Sequence, residues 1–405
     1  MKNKLCIHKF IEEHADWERL LSEKPYCISI SRDVMFGRKL IMFKYSQIDS
    51  DFNIELVREC RGIILDEDTL EVICHPFNKF GNYGESYCPD IDWKSCYVTE
   101  KLDGSLVKLS RIGDNILWST NGTIDAYKAP LVEQIGCIAK SFGELAWYAI
   151  LENYCKARDL SVSDCIDPDI VKDWLKSIIK PGYTYMFELT SPYNKVVVTW
   201  HKTELHFIGC RDNESGQEIF FGDHELSKIF DIPKIFPLRS VDECVKAASE
   251  LDVNAEGYVV VDKNFNRVKI KSPLYVSIHH LRGENGVMSY KRALEIVKAN
   301  EVAEVLTYFP EYKSAFDELE KRFTEKVTQV EAAWKEFVSI KDTLLTRKDQ
   351  AIWIMSHVKE FSGFMFGMLD GKITNIHDAI FNAPNDKIIR MLGFKEQYHE
   401  DNTTN

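Results

Sequence analysis

The 405-residue sequence has little of what marks secreted or membrane-spanning proteins. Its eleven cysteines include no Cys-x-x-Cys pair and show no regular spacing, so they indicate reduced thiols rather than a disulfide framework. No charged and apolar leader opens the sequence, and no apolar run has the length that crossing a bilayer requires. We therefore expect a cytoplasmic protein without a membrane segment.

The sequence also lacks an excess of positive charge. Its 51 lysines and arginines face 63 aspartates and glutamates, which gives a net charge of -12. Because affinity for phosphates comes from neutralisation by lysine and arginine, this balance excludes a protein that coats nucleic acid through bulk electrostatics. A local basic cleft is still compatible with it. The length and the 45% of hydrophobic residues predict a globular chain of two or three domains.

The most informative stretch is the polar turn Glu100-Lys101-Leu102-Asp103-Gly104-Ser105, which follows a strand-like run. A lysine that ends a strand beside a carboxylate and a glycine can be confined and act as a nucleophile. Only a neutral amine attacks, so such a site needs burial or cationic neighbours, for which Lys269 and Lys271 are candidates. Alone the turn is weak evidence, because Asp-Gly is a common turn pair beside a solvated lysine.

Two carboxylates lie among the apolar residues of predicted strands. Glu188 falls in the β-rich run Tyr183–Leu189, where a carboxylate needs a partner or a metal to stay ionised. A paired structural glutamate is the alternative interpretation. Glu256 and Gly257 open another apolar strand, as expected where the backbone approaches a ligand closely.

Several basic residues accompany these carboxylates. Arg267, Lys269 and Lys271 alternate with apolar residues, so they share one face of a strand that is either solvated or directed at phosphates. Arg61 directly precedes an apolar strand, and Lys79 lies between two phenylalanines in a turn-rich stretch. A surface arginine and a lysine that extends beside the rings are the alternatives there.

In order along the chain, four segments resemble the motifs of the covalent nucleotidyltransferases, which include polynucleotide ligases and capping enzymes: Lys101–Ser105, Phe187–Glu188, Glu256–Tyr258 and Lys269–Lys271. The flanking segments are more similar to the phage-type RNA ligase 1 family, whose members repair broken tRNA: Glu59–Ile63, Lys79–Phe80, Ser191–Lys195 and Lys271–Ser277. The matches run from about Arg38 to His279.

The resemblance implies an α+β fold. We expect a mixed or antiparallel-sheet nucleotidyltransferase domain of the ATP-grasp-like ligase type, followed by an all-helical C-terminal domain. The adenylyltransferase domain is predicted at residues 1–275, with a helical insertion around 126–181, and a helical domain that selects RNA or tRNA at 276–405. Locally, apolar spacing predicts a helix over Phe10–Leu21, a strand over Lys195–Trp200 and a long helix over Tyr312–Ile340.

The activity that the resemblance implies is ATP-dependent RNA ligation. Lys101 attacks the α-phosphate of ATP to give lysyl-AMP, the AMP passes to an RNA 5′-phosphate, and an RNA 3′-hydroxyl displaces it. Lys269 and Lys271 would hold the α-phosphate, whereas Arg61 and Lys79 would hold the departing pyrophosphate. The implied partner is RNA with 5′-phosphate and 3′-hydroxyl ends, broken tRNA included. The location would be the host cytoplasm if a phage encodes the chain, and nothing in the sequence indicates an obligate protein partner.

The implied metal is Mg²⁺, with Mn²⁺ as the alternative. Glu188 and Glu256 suit it because the ion prefers oxygen ligands, and Tyr275 matches a family position near the metal and triphosphate. The chain departs from the family at Thr120-Asn121-Gly122-Thr123, where Ser-Lys-Gly-Ser is usual. Since a neutral amide cannot offset phosphate charge as lysine does, either Lys128 or a basic residue elsewhere must substitute.

Two other functions compete with this interpretation. A DNA ligase or a GTP-using capping enzyme shares the lysine chemistry, but those families usually append a β-rich OB-fold and do not account for Arg61 and Lys79. A catalytically decayed RNA-binding protein is the second alternative. Against decay, every charged motif position is filled except Asn121.

Overall fold

The computed structural model describes residues 5–131, 136–161, 167–194, 197–252, 254–280 and 288–394. The chain divides into two compact units, Met1–His279 and His280–Asn405. The strands are β1 Ile28–Met35, β2 Arg38–Tyr45, β3 Arg61–Asp66, β4 Val72–Cys74, β5 Tyr97–Lys101, β6 Ser105–Ile112, β7 Asn115–Thr120, β8 Tyr183–Thr190, β9 Glu204–Asp212, β10 Glu218–Ile219, β11 Ile235–Phe236, β12 Gly257–Val261 and β13 Arg267–Lys271. The helices are α1 Cys6–Glu13, α2 Trp17–Ser22, α3 Glu55–Glu59, α4 Phe142–Lys156, α5 Pro168–Ile178, α6 Val241–Ser249, α7 Pro273–His280, α8 Tyr290–Lys298, α9 Val302–Tyr308, α10 Lys313–Ile340, α11 Arg347–His357, α12 Ser362–Leu369, α13 Ile376–Phe381 and α14 Asn385–Met391.

Three antiparallel sheets form the framework of the first unit. Their strand orders are β1-β2-β3-β4, β10-β9-β8-β6-β7 and β11-β5-β12-β13. Although β5 and β6 follow each other in the chain, they belong to different sheets. The short link Leu102–Gly104 therefore crosses from the third sheet to the second, directly after the lysine that ends β5.

Helices cover the sheets and bury apolar cores between the layers. Residues of α4 and α5 pack on the second sheet around Tyr185, Phe187 and Phe207. Local sequence fixes where these helices begin: the Ser141 side chain accepts the N–H of Glu144 at the start of α4, and α5 begins with a proline after the capping Asp167. The α1–α3 segment packs on the first sheet, and α6 packs on the third.

The second unit is helical throughout its described residues and is organised by α10. This helix has 28 residues, a length of about 42 Å at 1.5 Å per residue. Its first half packs Phe316 and Leu319 against α8 and α14, and its second half packs Val330 and Phe337 against α11, α12 and α13. Among the residues that the structure describes, no helix combines the length and the apolar character that spanning a bilayer requires.

The predicted α+β fold with an all-helical C-terminal region is confirmed by this architecture. The single helix predicted over Phe10–Leu21 is wrong, because two helices occupy this region. His14 takes an extended backbone conformation, with φ −129° and ψ 113°, and this conformation ends α1 before α2 begins at Trp17.

The strand predicted over Lys195–Trp200 is also wrong for residues 197–200, while Lys195 and Val196 lie outside the described residues. The backbone N–H groups of Val197 and Val198 donate to the carboxylate of Asp103 at 2.9 and 2.6 Å. These two groups therefore bond a side chain from a distant part of the sequence, where a strand would have offered them a neighbouring backbone.

Candidate active site

The register of the third sheet brings Lys101 beside the predicted acidic motif. Gly257 at the start of β12 lies opposite Lys101 of β5 on one side and opposite Lys271 of β13 on the other. Gly257 has φ +145°, and a Cβ there would lie 2.3 Å from the carbonyl oxygen of Ile270. Only glycine fits this close approach of the strands.

Glu256 joins two lysines from the neighbouring strands. The Nζ atom of Lys101 donates to Oε2 of Glu256 at 2.6 Å, and Nζ of Lys271 lies 3.8 Å from Oε1 of the same carboxylate. The Glu256 side chain is only 5% exposed. A buried carboxylate held between two ammonium groups fixes the position of the Lys101 amine.

Asp103 makes the turn after Lys101 rigid. Besides accepting the two N–H groups of residues 197 and 198, its carboxylate accepts the hydroxyl of Tyr275 at 2.9 Å. The backbone carbonyl of Asp103 also accepts the indole N–H of Trp200 at 2.7 Å. At Gly104 a Cβ would lie 2.5 Å from the carbonyl oxygen of Leu189, so the turn touches β8 directly. The buried Tyr275 thus meets the lysine turn through Asp103.

Phe80 lies between two of the predicted phosphate-binding cations. Its ring centroid is 5.3 Å from the guanidinium of Arg61 and 5.2 Å from Nζ of Lys269. The N–H of Lys269 donates to the carbonyl of Gly81 at 2.9 Å, which attaches this segment to the edge of β13. Burial lowers the pKa of Lys269 well below its usual value, and the nearby positive charges of other lysines and of Arg61 lower this pKa further.

Arg61 and Glu188 complete the charged part of the site. The Nε and Nη1 groups of Arg61 are buried with no hydrogen-bond partner among the described residues, so they are available to an anion. Glu188 lies on β8 opposite Leu106. Burial raises the pKa of Glu188 to about 7, the nearby carboxylates of Glu256 and Asp103 raise it as well, and Lys101 opposes them.

A cavity of about 330 Å³ lies among these groups. Its charged lining residues are Arg61, Glu100, Lys101, Glu188, Arg267 and Lys269. Aromatic and aliphatic side chains also line it: Phe77, Phe80, Tyr97, Phe220, Phe221, Ile208, Val259 and Val261. The size and the mixed lining suit a molecule that combines a flat apolar ring with anionic groups.

The aromatic wall was missed by sequence reasoning. Phe220 packs against Tyr97 with ring centroids 3.8 Å apart, and Phe221 packs on Phe220. The two phenylalanines directly follow the two-residue strand β10. Consecutive aromatic residues after a turn are a weak signal, since most such residues belong to an ordinary core.

Arg267 shares the cavity wall but is bonded to a buried glutamate. Its Nη2 lies 2.5 Å from Oε2 of Glu218, whose other oxygen contacts Arg211. Burial opposes ionisation of Glu218, but the two guanidinium groups keep its pKa below the usual value. These ion pairs tie β13 to β9 and β10, so they hold the third sheet against the second beside the cavity.

Lys79 lies apart from this cavity. It lines a second, open cavity that shares Phe80 and Arg267 with the first. Its Nζ lies over the rings of Tyr45 and Phe52, at 5.5 and 4.8 Å from their centroids, and donates to Gln47 at 3.2 Å. The rings beside the ammonium are therefore not those of its sequence neighbours, and a role with the pyrophosphate is still a prediction.

Lys128, the candidate substitute for the missing family lysine, is not among the residues that line the cavity. Its Nζ pairs with Asp33 at 2.5 Å, and its side chain is 58% exposed. Asn121 does line the cavity, and its Oδ1 is buried without a hydrogen-bond partner among the described residues. Lys108 is buried close to this turn, since its Nζ and the Asn121 carbonyl oxygen lie 2.9 and 2.8 Å from the position of a Cβ on Gly62.

The carboxylates of the site could hold a divalent metal ion. Among the described residues, no group of three histidine, cysteine, aspartate or glutamate side chains could enclose a metal by itself. Mg²⁺ needs no such group, because it commonly takes one or two carboxylates and completes its shell with phosphate oxygens and water. Glu188 and Glu256, whose charges interact, supply that pair.

Comparison with known proteins identifies the family. A family model described as RNA ligase matches residues 59–275, which is more than half of the chain. A protein of Autographa californica nuclear polyhedrosis virus described as a bifunctional polynucleotide kinase/RNA ligase is 27% identical over 292 residues, covering 68% of this chain and 38% of that protein. A protein of Thermovibrio ammonificans described as an RNA ligase is 27% identical over 243 residues, covering 56% of this chain and 55% of its own length. The chain therefore spans roughly half or less of these two relatives.

Among solved structures, an archaeal ATP-dependent RNA ligase aligns with 90% of this chain and 99% of its own length, at 12% identity and a TM-score of 0.41.

Proposed function

Since the chain belongs to the RNA ligase family, we propose that it joins RNA 5′-phosphate ends to RNA 3′-hydroxyl ends in an ATP-dependent reaction. One observation carries the proposal: the Lys101 amine is held 2.6 Å from Glu256 at the wall of a cavity lined by rings and cations. A lysine confined in this way becomes a nucleophile once it is neutral. DNA ligation and GTP-dependent capping use the same lysine chemistry, so the experiment below discriminates against them.

The reaction consists of three transfers at phosphorus. In the first, Nζ of Lys101 bonds to the α-phosphorus of ATP, the bond from that phosphorus to the β-phosphate oxygen breaks, and pyrophosphate leaves. The ammonium first loses its proton to solvent, and Glu256, its hydrogen-bond partner, is assigned to orient the amine. In the second, an RNA 5′-phosphate oxygen displaces the lysine and receives the AMP. In the third, an RNA 3′-hydroxyl attacks that 5′-phosphate and releases AMP. Positioning and charge neutralisation supply most of the catalysis in such reactions.

We assign a role in these transfers to each residue of the site from its position. Lys269 and Lys271 flank the amine on β13 and are assigned to the α-phosphate. Arg61, with two unpaired buried donors, is assigned to the outer phosphates, and Lys79 to the departing pyrophosphate. The aromatic wall around Tyr97 and Phe220 is assigned to the adenine ring, which stacks well on such side chains.

Glu188 and Glu256 are assigned to Mg²⁺, with Mn²⁺ as the alternative. When bound, the ion neutralises charge on the phosphate oxygens of the nucleotide. Tyr275 contributes to this region through its hydrogen bond to Asp103, which holds the turn that carries Lys101.

We propose that the helical unit selects the RNA substrate and that broken tRNA is among the substrates. RNA is recognised largely by its shape and by unpaired, stackable bases. The candidate contacts are Lys341, Arg347, Lys348 and Trp353 around the start of α11. Arg347 contacts Asp370, and the Trp353 ring stacks on His357 with centroids 4.3 Å apart, so both side chains also have structural partners.

The experiment is to incubate the protein with ATP or GTP labelled on the α-phosphate and to look for a labelled protein band. We expect labelling by ATP in the wild type and in Lys94→Ala, which changes an exposed lysine on the same unit. We expect none in Lys101→Ala or Lys101→Arg, because arginine keeps the charge but is never a neutral nucleophile.

Sealing of a supplied 5′-adenylated RNA should survive in part in both Lys101 variants, because that step no longer needs the lysine to carry AMP. A normal adduct yield on Lys101→Ala would overturn the lysine assignment. Preferential labelling by GTP, or equal sealing of DNA and RNA ends, would overturn the ligase assignment in favour of one of the related activities.

A further inference from the structure

Lys108 is a buried lysine without an acidic partner. It lies in the middle of β6 with no exposed surface. No ion pair of the described residues includes it, and the nearby cation Arg61 adds to the cost of charging it. An ammonium in such surroundings opposes folding unless something compensates, so a buried lysine of this kind is a candidate for a functional role.

The contacts of Lys108 place its ammonium beside the peptide that joins Arg61 to Gly62. Its Nζ donates to the carbonyl oxygen of Gly62 at 2.6 Å. Gly62 has φ +77°, and a Cβ at this residue would lie 2.9 Å from that Nζ and 2.8 Å from the carbonyl oxygen of Asn121. Three groups therefore meet at one point: the Lys108 ammonium, the Arg61–Gly62 peptide and the Asn121 backbone. Only glycine at residue 62 leaves space for this contact.

The side chains beside this point belong to the cavity wall. Both Arg61 and Asn121 line the 330 Å³ cavity. Two guanidinium nitrogens of Arg61 and Oδ1 of Asn121 are buried, and none of them has a partner among the described residues. Polar groups buried in this way are normally satisfied. A bound anion would accept from the two Arg61 nitrogens, whereas the Asn121 oxygen would accept from a donor group of a ligand or from water.

We propose that Lys108 is a positioning residue for the nucleotide phosphates: it fixes the Arg61–Gly62 peptide and supplies from β6 the positive charge that Asn121 on the adjacent turn lacks. This proposal rests on the proposed function. Strand pairing supports it, because Lys108 faces Ser119 of β7, two residues before Asn121. Burial lowers the pKa of Lys108 to about 8, which still leaves the side chain mostly charged at neutral pH.

A second lysine near the turn is the competing candidate. Lys44 lies opposite Arg61 in the first sheet, and its Nζ would lie 3.5 Å from a Cβ on Gly122. Unlike Lys108 it is exposed, so water already screens its charge. Lys44→Met is therefore the matched control for Lys108→Met: both remove one ammonium close to the same turn.

The experiment measures protein-AMP formation against ATP concentration in the full-length protein. We expect Lys108→Met to raise the ATP concentration for half-maximal adduct formation about tenfold, the effect of one lost charge-assisted contact. The change should be much smaller in Lys44→Met. Placing the lysine on the turn, in the double variant Lys108→Met with Asn121→Lys, should recover most of the loss.

A double variant no better than Lys108→Met would overturn the proposal, as would a larger loss in Lys44→Met. If Lys108→Met does not fold, Lys108→Gln replaces it in the same comparison, since the amide keeps a donor for Gly62 but carries no charge. Failure of the underlying function is seen separately: the wild type would then form no adduct with ATP. If the wild type labels on Lys101 but Lys108→Met has an unchanged ATP dependence, only this inference is refuted.

Discussion

The buried ammonium of Lys108 predicts a pH dependence of stability that Lys108→Met should remove. Burial lowers the pKa of this side chain from 10.5 to about 8 in the folded protein. The folded state therefore releases the proton at a lower pH than the unfolded state. Between pH 8 and pH 10.5 the unfolded state binds more protons, so the free energy of unfolding contributed by this group rises with pH.

The size of the effect follows from the two pKa values. At pH 7 the charged side chain opposes folding by about 3 kcal/mol, and at pH 9.5 by only about 1.4 kcal/mol, from 1.36 kcal/mol for each pKa unit. The difference in unfolding free energy between wild type and Lys108→Met should consequently move by about 2 kcal/mol over this interval. Loss of the hydrogen bond to Gly62 shifts the variant by a similar amount at both pH values, so it largely cancels in the comparison.

Urea unfolding at pH 7 and pH 9.5 measures this difference, with tryptophan fluorescence as the signal. Trp118 lies buried on β7, the strand beside Lys108. Lys44→Met serves as the control, because it removes an exposed ammonium near the same turn and empties no buried site. If the unfolding free energies of wild type and Lys108→Met change in parallel with pH, the ammonium is not held in a desolvated site and the reasoning is refuted.

Three further predictions concern the rest of the site and the second unit. Burial raises the pKa of Glu188 from 4.5 to about 7, so the folded state binds the proton more tightly and stability falls as pH rises between these values. The thermal midpoint of Glu188→Gln should therefore fall less than that of the wild type from pH 5.5 to pH 8. The control Glu214→Gln, which changes an exposed glutamate, should follow the wild type. Glu256→Ala should reduce adduct yield far more than it reduces the thermal midpoint, and a yield lost only in proportion to folded protein would make Glu256 structural. A chain truncated after His280 that stays folded should still label with ATP. Its sealing of tRNA broken in the anticodon loop should drop far more than its sealing of a short unstructured strand. Equal losses would mean that the helical unit supports catalysis in general.

Much of the fold could be predicted because its signals are local. The apolar spacing of α10 and the apolar strands β8 and β12 can be recognised within a dozen residues each. The predictions were wrong where a distant group decided the backbone conformation. Val197 and Val198 have a strand-like sequence, but the Asp103 carboxylate accepts their N–H groups instead of a neighbouring strand.

The sequence by itself determined the candidate residues for the chemistry and their order along the chain. Lys101, Glu188, Glu256 and Lys269 can be recognised as candidates from short motifs, because a nucleophile, a carboxylate and a phosphate-binding cation each need a particular side chain beside a strand end or a glycine. Short motifs of this kind give the chemical function of a residue, but they do not give its partner.

Only the tertiary structure decided which of these groups meet. Glu256 is 155 residues from Lys101 in the chain, and the register of β5 with β12 sets their 2.6 Å contact. The Phe220 wall and the buried Lys108 could not be located near the candidate site from the sequence, since a core phenylalanine and a strand lysine look ordinary there. Their roles depend on how the three sheets pack around the cavity, and that packing is set by contacts between residues far apart in the chain.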